Sequence, residues 1–154
     1  MTDGTVVDVA GVLAGIREVA ETRISPGAAE VDRSRSFPDA DLEALAGVGA
    51  LGLLVPVEHG GAGGSLKALA EACEIVGAAS ASTGMVFLMH AVATATVAGG
   101  GGERAGELLT RMATGEALGT LAFSERGTGA HFYNPELAAE QHNGSVRVSG
   151  RRAS

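Results

Sequence analysis

The chain has 154 residues, 45% hydrophobic and 19% charged, with a formal net charge of −7. That length supports a single domain burying roughly 70% of its unfolded surface, and the apolar content excludes a disordered chain, which needs low hydrophobicity and high net charge. One cysteine, Cys73, excludes a disulfide framework and any CxxC zinc or redox site.

Apolar residues at Val6, Val9, Leu13, Ile16 and Ala20 follow the 3-4 spacing of a helix from Thr5 to about Ile24. Ser25-Pro26-Gly27 is read as its end, followed by a polar stretch, Ala28 to Ser36. A second helix is expected near Phe37-Pro38-Asp39, with Asp39 and Asp41 at the positive end of its dipole and Leu42, Leu45 and Val48 on its stripe. After Gly49 to Gly52, Leu53 to Val57 reads as a short extended run. A glycine-rich loop, Glu58 to Gly64, follows. Ser65 is placed to cap a third helix, Leu66 to Ala78.

Ser82 or Thr83 is placed to cap a fourth helix, to about Ala98. It is apolar nearly all round, so Met85, Phe87, Leu88, Met89 and Val92 are expected inside the bundle. His90, Thr94 and Thr96 interrupt it, and it reads as too short and too polar to span a bilayer. A fifth helix, about Glu103 to Ala113, ends at Gly115. Then the pattern changes. Ala117 to Phe123 reads as a strand, Ser124 to Pro135 as a loop, and Asn143-Gly144 as a hairpin turn between Leu137–Gln141 and Val146–Val148. The fold class is mainly α with a short β segment: a helical domain over 1–115, then the truncated start of a β domain over 116–154.

Function classes fall away in turn. Residues 1–100 hold twelve acids and five bases, and residues 101–154 hold six of each, so no basic stripe exists for nucleic acid. Ten of the eleven bases are Arg, which reads as composition bias. No basic-plus-apolar leader precedes Thr2-Asp3, so a cytoplasmic protein without a membrane partner is expected. No Gly-x-Ser-x-Gly elbow exists. His59, His90, His131 and His142 are not at metal-ligand spacing, so no metal is expected. Gly60 to Gly64 matches neither the Walker A pattern nor GxGxxG and reads as a tight turn. His90 reads as a hydrogen-bonded core histidine and Cys73 as a small core residue. Asn143-Gly144-Ser145 matches a glycosylation sequon, but the hairpin turn is the better reading.

Thr120 to Phe132 carries the chemistry: an apolar strand, then Ser124, Glu125 and a Gly-x-Gly turn whose backbone N–H groups can approach a phosphate or a polar ring edge. Four motifs occur in order. Phe37-Pro38 leads into a helix ending Gly49-Ala50-Leu51-Gly52-Leu53-Leu54-Val55-Pro56. Glu58 to Gly64 is similar to "PExxGGxG", Leu121 to His131 to "CxTEPxAGSD", and Gly144 to Arg152 to "INGxKxWIT". In this order the chain, from about Glu21 to Ser154, resembles the N-terminal part of an acyl-CoA dehydrogenase.

The resemblance implies an FAD-dependent oxidoreductase that converts an acyl-CoA thioester to 2-enoyl-CoA. A carboxylate removes the α-proton while hydride leaves Cβ for the flavin. It implies an N-terminal helical domain, a middle β-barrel domain and a C-terminal bundle holding the catalytic Glu, so no catalytic residue lies in these 154 residues. Leu121, Phe123 and Ser124 fall where the family meets the isoalloxazine ring. Gly129 and Ala130 fall where it contacts the FAD pyrophosphate, Ala130 also where it contacts the CoA of the substrate. Ser124 replaces the usual Thr, Arg126 the usual Pro, Ala130 the usual Ser and His131 the usual Asp, which points to a divergent subgroup. Glu125, beside Arg126, is expected to order the loop rather than act as a base. Phe123, Phe132 and Tyr133 either shape a flavin or acyl pocket or belong to the β domain's own core. The family assembles as oligomers, so a homo-oligomer or a partner chain carrying the C-terminal half is expected. Two alternatives remain open: part of a related flavin-dependent monooxygenase, and a non-enzymatic helical interaction module.

Overall fold

A computed structural model of the chain describes residues 8–102, 104–122, 127, 133 and 136–149. It divides into two units, one running to Thr120 and the other from Leu121. The first is helical. The second carries a two-stranded hairpin, so the expected fold class, mainly α with a short β segment, is what the chain adopts.

Helix α1 (Val9–Val19) buries Val12, Leu13, Ile16 and Val19. The expected stop at Ser25-Pro26-Gly27 does not occur. The chain passes through one π turn, Ala20–Ile24, and continues as α2 (Ser25–Ser34) with Pro26 in its first turn. Proline lacks an N–H and breaks a regular helix interior; here the turn just before it is wider, the Ser25 N–H donating to Ala20 O across five residues, and the chain stays helical through Pro26. Helix α2 buries no residue. An ion pair between Arg33 and Glu30 lies along it, and Ser82 Oγ donates to Asp32 at 2.7 Å. The polar stretch Ala28 to Ser36 is therefore largely this exposed helix.

Helix α3 (Asp39–Gly47) carries Asp39 and Asp41 in its first turn and buries Leu42 and Leu45. The extended run expected over Leu53 to Val57 is absent: residues 53–55 form a turn and bend between two 3₁₀ turns, Ala50–Gly52 and Val57–His59. Helix α4 (Leu66–Ala79) is capped as expected, Ser65 Oγ accepting the Ala68 N–H at 3.3 Å. The cap of α5 (Ala81–Gly100) is Ser80 rather than Ser82 or Thr83: its Oγ accepts the Thr83 N–H at 3.2 Å. A single extended residue ends α4 and starts α5. The two helices then meet closely, because a Cβ on Gly84 would lie 2.8 Å from the Gly77 Cα.

Helix α5 buries Thr83, Gly84, Phe87, His90, Ala91, Ala93 and Thr94. Of the five residues expected inside, only Phe87 is buried. Leu88, Met89 and Val92 are half-buried and Met85 is 57% exposed. The other helices cover one side of α5, and Met85 lies on the side left open. Its 20 residues also correct the expectation about length, since it is long and apolar enough to cross a membrane by length and composition. Its buried face against α4 and α6 makes it the core helix of this unit. Ile16, Ile24, Leu45, Leu53, Val76 and Phe87, contributed by six segments, form the fully buried centre.

Helix α6 (Ala105–Ala113) buries Leu109, Met112 and Ala113. Gly115 follows at φ +79°, with Ala46 and Leu51 each 3.1 Å from where its Cβ would lie. The strand expected from Ala117 is absent through Ala122, and Phe123 lies outside the described residues. The backbone bonds a helix instead of a neighbouring strand: the Ala117 N–H donates to Arg111 O at 3.1 Å. In the second unit, β1 (Ala139–His142) pairs antiparallel with β2 (Ser145–Val148). Asn143 (φ 47°) and Gly144 (φ 78°) close the hairpin with the two positive φ angles of a type I′ turn. All eight strand residues are exposed. Three strands were expected from the sequence, and two are present among the described residues.

Candidate functional site

Two glycine-bearing segments compete as ligand sites. In the first, Gly60 to Gly64, backbone N–H groups would have to be free to cradle a phosphate. They are not free. Gly60 N–H donates to Val57 O at 3.0 Å and Gly61 N–H to Pro56 O at 3.2 Å. Ala62, Gly63 and Gly64 donate to Gly52 O, Val55 O and Leu53 O at 3.0, 2.9 and 2.7 Å. Each N–H of the run ends on a carbonyl of the preceding segment. The loop is a structural knot, as the tight-turn reading expects. His59 lies against α6, where a Cβ on Gly106 would come within 2.8 Å of its Cε1.

The second segment leaves α6 after Gly115 and leads into Thr120 to Phe132. Gly119 is held between helices: a Cβ there would lie 2.6 Å from Ala93 Cβ and 2.8 Å from Met112 Cε. Its N–H donates to His90 Nδ1 at 3.2 Å. On the far side of the ring, Nε2 lies 3.1 Å from Leu51 O. His90 is fully buried and hydrogen-bonded through both ring nitrogens, as a core histidine should be. Burial pushes its pKa below the ordinary imidazole value, against hydrogen bonds to the backbone of Leu51 and Met112 that favour protonation. Leu121, half-buried, comes two residues later. It is the one member of the expected flavin set that is described. Phe123, Ser124, Gly129 and Ala130 lie outside the described residues, as do Glu125, Arg126, His131 and Phe132. Tyr133 is 74% exposed.

The sequence reading missed one buried polar link. Asp41 is only 5% exposed and accepts the Thr83 hydroxyl proton at 2.8 Å, with Arg23 Nε at 3.8 Å. It joins α3, the N-terminus of α5 and the π turn. The only sequence signal was an acid in the first turn of α3, a common surface position. A cleft of about 560 Å³ opens beside α3, lined by Asp39, Leu42, Glu43, Ala46, Leu51 and Leu118. Its charged groups are both acids, so it would repel the phosphates of a nucleotide. Among the described residues no cluster of His, Cys, Asp or Glu could hold a metal. Cys73 is half-buried, and burial raises its thiol pKa, so it stays protonated.

Residues 11–116 match the family model described as acyl-CoA dehydrogenase, N-terminal domain. The human short-chain specific acyl-CoA dehydrogenase, mitochondrial, is 31% identical over 139 residues, covering 89% of this chain and 34% of the relative. A probable acyl-CoA dehydrogenase of Bacillus subtilis is 30% identical over 142 residues, with 89% and 37% covered. Isovaleryl-CoA dehydrogenase, mitochondrial, of Solanum tuberosum is 30% identical over 141 residues, with 89% and 34% covered. The chain thus spans about a third of the length of the curated relatives it matches. A solved chain from work on an electron transferring flavoprotein of Acidaminococcus fermentans matches with a TM-score of 0.83 at 18% identity. That match covers 97% of this chain and 39% of the other, and it supports the fold alone. The family match runs from within α1 through the end of α6, and the chain belongs to the acyl-CoA dehydrogenase family.

Proposed function

We propose that this chain is the N-terminal part of an FAD-dependent acyl-CoA dehydrogenase and supplies one wall of its flavin site. The observation that carries this is the similarity to acyl-CoA dehydrogenases over 89% of the chain. Such a stretch is longer than the helical domain and takes in much of Thr120 to Phe132. The donor set suits a flavin: apolar Leu121 and Phe123 for the ring face, the Ser124 hydroxyl for a ring heteroatom, and the backbone N–H groups of Gly129 and Ala130 for a pyrophosphate. Gly60 to Gly64, the competing glycine loop, has no N–H left to offer. Bound FAD would supply hydride acceptance from the thioester's Cβ. This chain's own residues would bind and orient, and Ala130 would also meet the CoA part of the substrate. The carboxylate base belongs to the part of the family that these residues do not span. A second subunit, or a chain carrying that part, completes the site.

The test is acyl-CoA-dependent dye reduction by the purified 154-residue chain with added FAD. No turnover is expected, and robust turnover would overturn the proposal. Supplying the remaining part of a family member as a second chain should restore flavin absorbance and acyl-CoA oxidation. In that complex Ser124→Ala should weaken flavin binding or slow flavin reduction by about 1–2 kcal/mol, the loss of one hydrogen bond.

A further inference from the structure

We propose that His90, held as the neutral Nε2–H tautomer, is a positioning residue: it clamps the segment leaving the helical unit at Gly119 to the 3₁₀ turn at Leu51. Both partners fix the tautomer. Nδ1 faces the N–H of Gly119 at 3.2 Å, so it must present a lone pair. Nε2 faces Leu51 O at 3.1 Å, which carries no proton. Its other neighbour, Thr94 Oγ1 at 3.5 Å, has its own proton directed to His90 O at 2.8 Å, leaving only lone pairs toward the ring. Nε2 must therefore carry the hydrogen. One imidazole then joins two backbone groups 68 residues apart in sequence, one on each side of the ring.

The clamp sits where the chain has few other holds. Gly119 has no side chain to anchor it, and the neighbouring Leu118 is 46% exposed. The close approach of Gly119 to Ala93 and Met112 gives shape, while the ring supplies direction. Leu121 follows within two residues, so the clamp fixes the point from which the candidate flavin segment departs. That last consequence rests on the function proposed above; the clamp itself does not.

A proton on Nδ1 would set donor against donor at Gly119 and place an imidazolium where burial outweighs the help of the Leu51 and Met112 backbone and where no described side chain supplies a countercharge. The 3₁₀ turn and residues 117–120 carry no charged residue. The charges of α6, Glu107 and Arg111, are exposed, with Arg111 bonded to Glu116. On α4, Lys67 and Glu74 are exposed and Glu71 pairs with Arg17. On α2, Glu30 and Arg33 pair with each other and Asp32 bonds Ser82. On α3, Asp39 and Glu43 are exposed, and Asp41 is engaged with Thr83 near the start of α5. No acid among these elements is available to the ring, so protonation requires the clamp to open.

The experiment is amide hydrogen exchange at Gly119 in the 154-residue chain, without flavin, together with long-range imidazole nitrogen spectra that report the tautomer. The expected result is the Nε2–H signature and a Gly119 protection factor that falls about tenfold per pH unit below about 6.5, the ordinary imidazole value. Two variants separate direction from packing. His90→Asn can keep an acceptor toward Gly119 and should retain protection with no pH dependence. His90→Gln can reach Leu51 but loses that acceptor, and Gly119 protection should collapse at every pH while α4 amides stay protected. An Nδ1–H signature, pH-independent protection in the unaltered chain, or equal Gly119 protection in the two variants would each overturn the clamp. Because no flavin is present, failure of the flavin reading leaves this result untouched.

Discussion

Replacing Gly61 by alanine tests whether the Gly60 to Gly64 loop is a structural knot or a ligand cradle. A Cβ on Gly61 would lie 2.2 Å from Val55 O, 2.4 Å from Val55 Cβ and 2.6 Å from Gly52 O. Backbone cannot swing aside as a side chain can, so the loop must lift. The two carbonyls that are struck also accept the N–H groups of Gly63 and Ala62, at 2.9 and 3.0 Å. Lifting the loop loses both bonds, at about 1 kcal/mol each, on top of about 1–3 kcal/mol for overpacking. The expected cost is about 3–5 kcal/mol, a large share of the 5–15 kcal/mol typical of a domain. Gly60→Ala provides the calibration: it has φ +82° and open space around it, so it should cost only the left-handed penalty, about 1–2 kcal/mol. Gly27→Ala, in α2 with no atom within 4 Å, should stabilise by about 0.5–1 kcal/mol. Urea unfolding followed by far-ultraviolet circular dichroism reads all three. Equal losses for Gly61→Ala and Gly60→Ala would refute the steric reasoning. Unchanged stability for Gly61→Ala would reopen the loop as a ligand site.

Other perturbations follow from the same contacts. Asp41→Ala leaves the buried Thr83 hydroxyl without its acceptor and should cost about 2 kcal/mol; combined with Thr83→Val it should cost less than the two single changes together, as read by urea unfolding. Ser80→Ala removes the cap of α5 and should lower stability by about 1 kcal/mol in the same assay. The lowered pKa of His90 means the unfolded chain binds its proton more readily. The contribution is therefore complete above about pH 6.5 and lost as pH falls, by up to about 1.4 kcal/mol per unit, until the folded pKa is reached. Urea midpoints measured across that range should show the slope, and His90→Asn should reduce it. Cys73 should react with a thiol reagent more slowly in the folded chain than in urea, because burial raises its pKa.

How much was legible in the sequence varied with the type of signal. Ser65, Gly115 and Asn143-Gly144 were read correctly because a cap, a helix end and a type I′ turn depend on a few adjacent residues. Pro26 misled because a proline's effect depends on where a helix turn begins, which a π turn had shifted. Leu53 to Val57 misled because its hydrogen-bond partners come from a loop folded back on it, and apolar runs do not reveal their partners. Residues 117–122 misled for the same reason, since a histidine 29 residues away takes the Gly119 N–H. Of the flavin set, Leu121 alone lies among the described residues, so those assignments still rest on the motif.

The buried polar residues of α5 explain how such a smooth helix finds one orientation. Its buried face is Gly84, Ala91 and Ala93 with the single large apolar residue Phe87, so ridges and grooves are shallow and packing alone favours several rotations about the axis. Hydrogen bonds, unlike apolar contact, are directional. Thr83 bonds Asp41 near one end, and His90 bonds Leu51 and Gly119 further along. Rotating the helix by one residue, about 100°, would break all of these bonds and strand a carboxylate, a hydroxyl and an imidazole in a dry interior, each costing about 1–3 kcal/mol or more. Apolar replacements of similar shape at these positions could be nearly as stable. They would also leave the orientation of α5, and with it the place where the chain departs toward Leu121, less sharply defined.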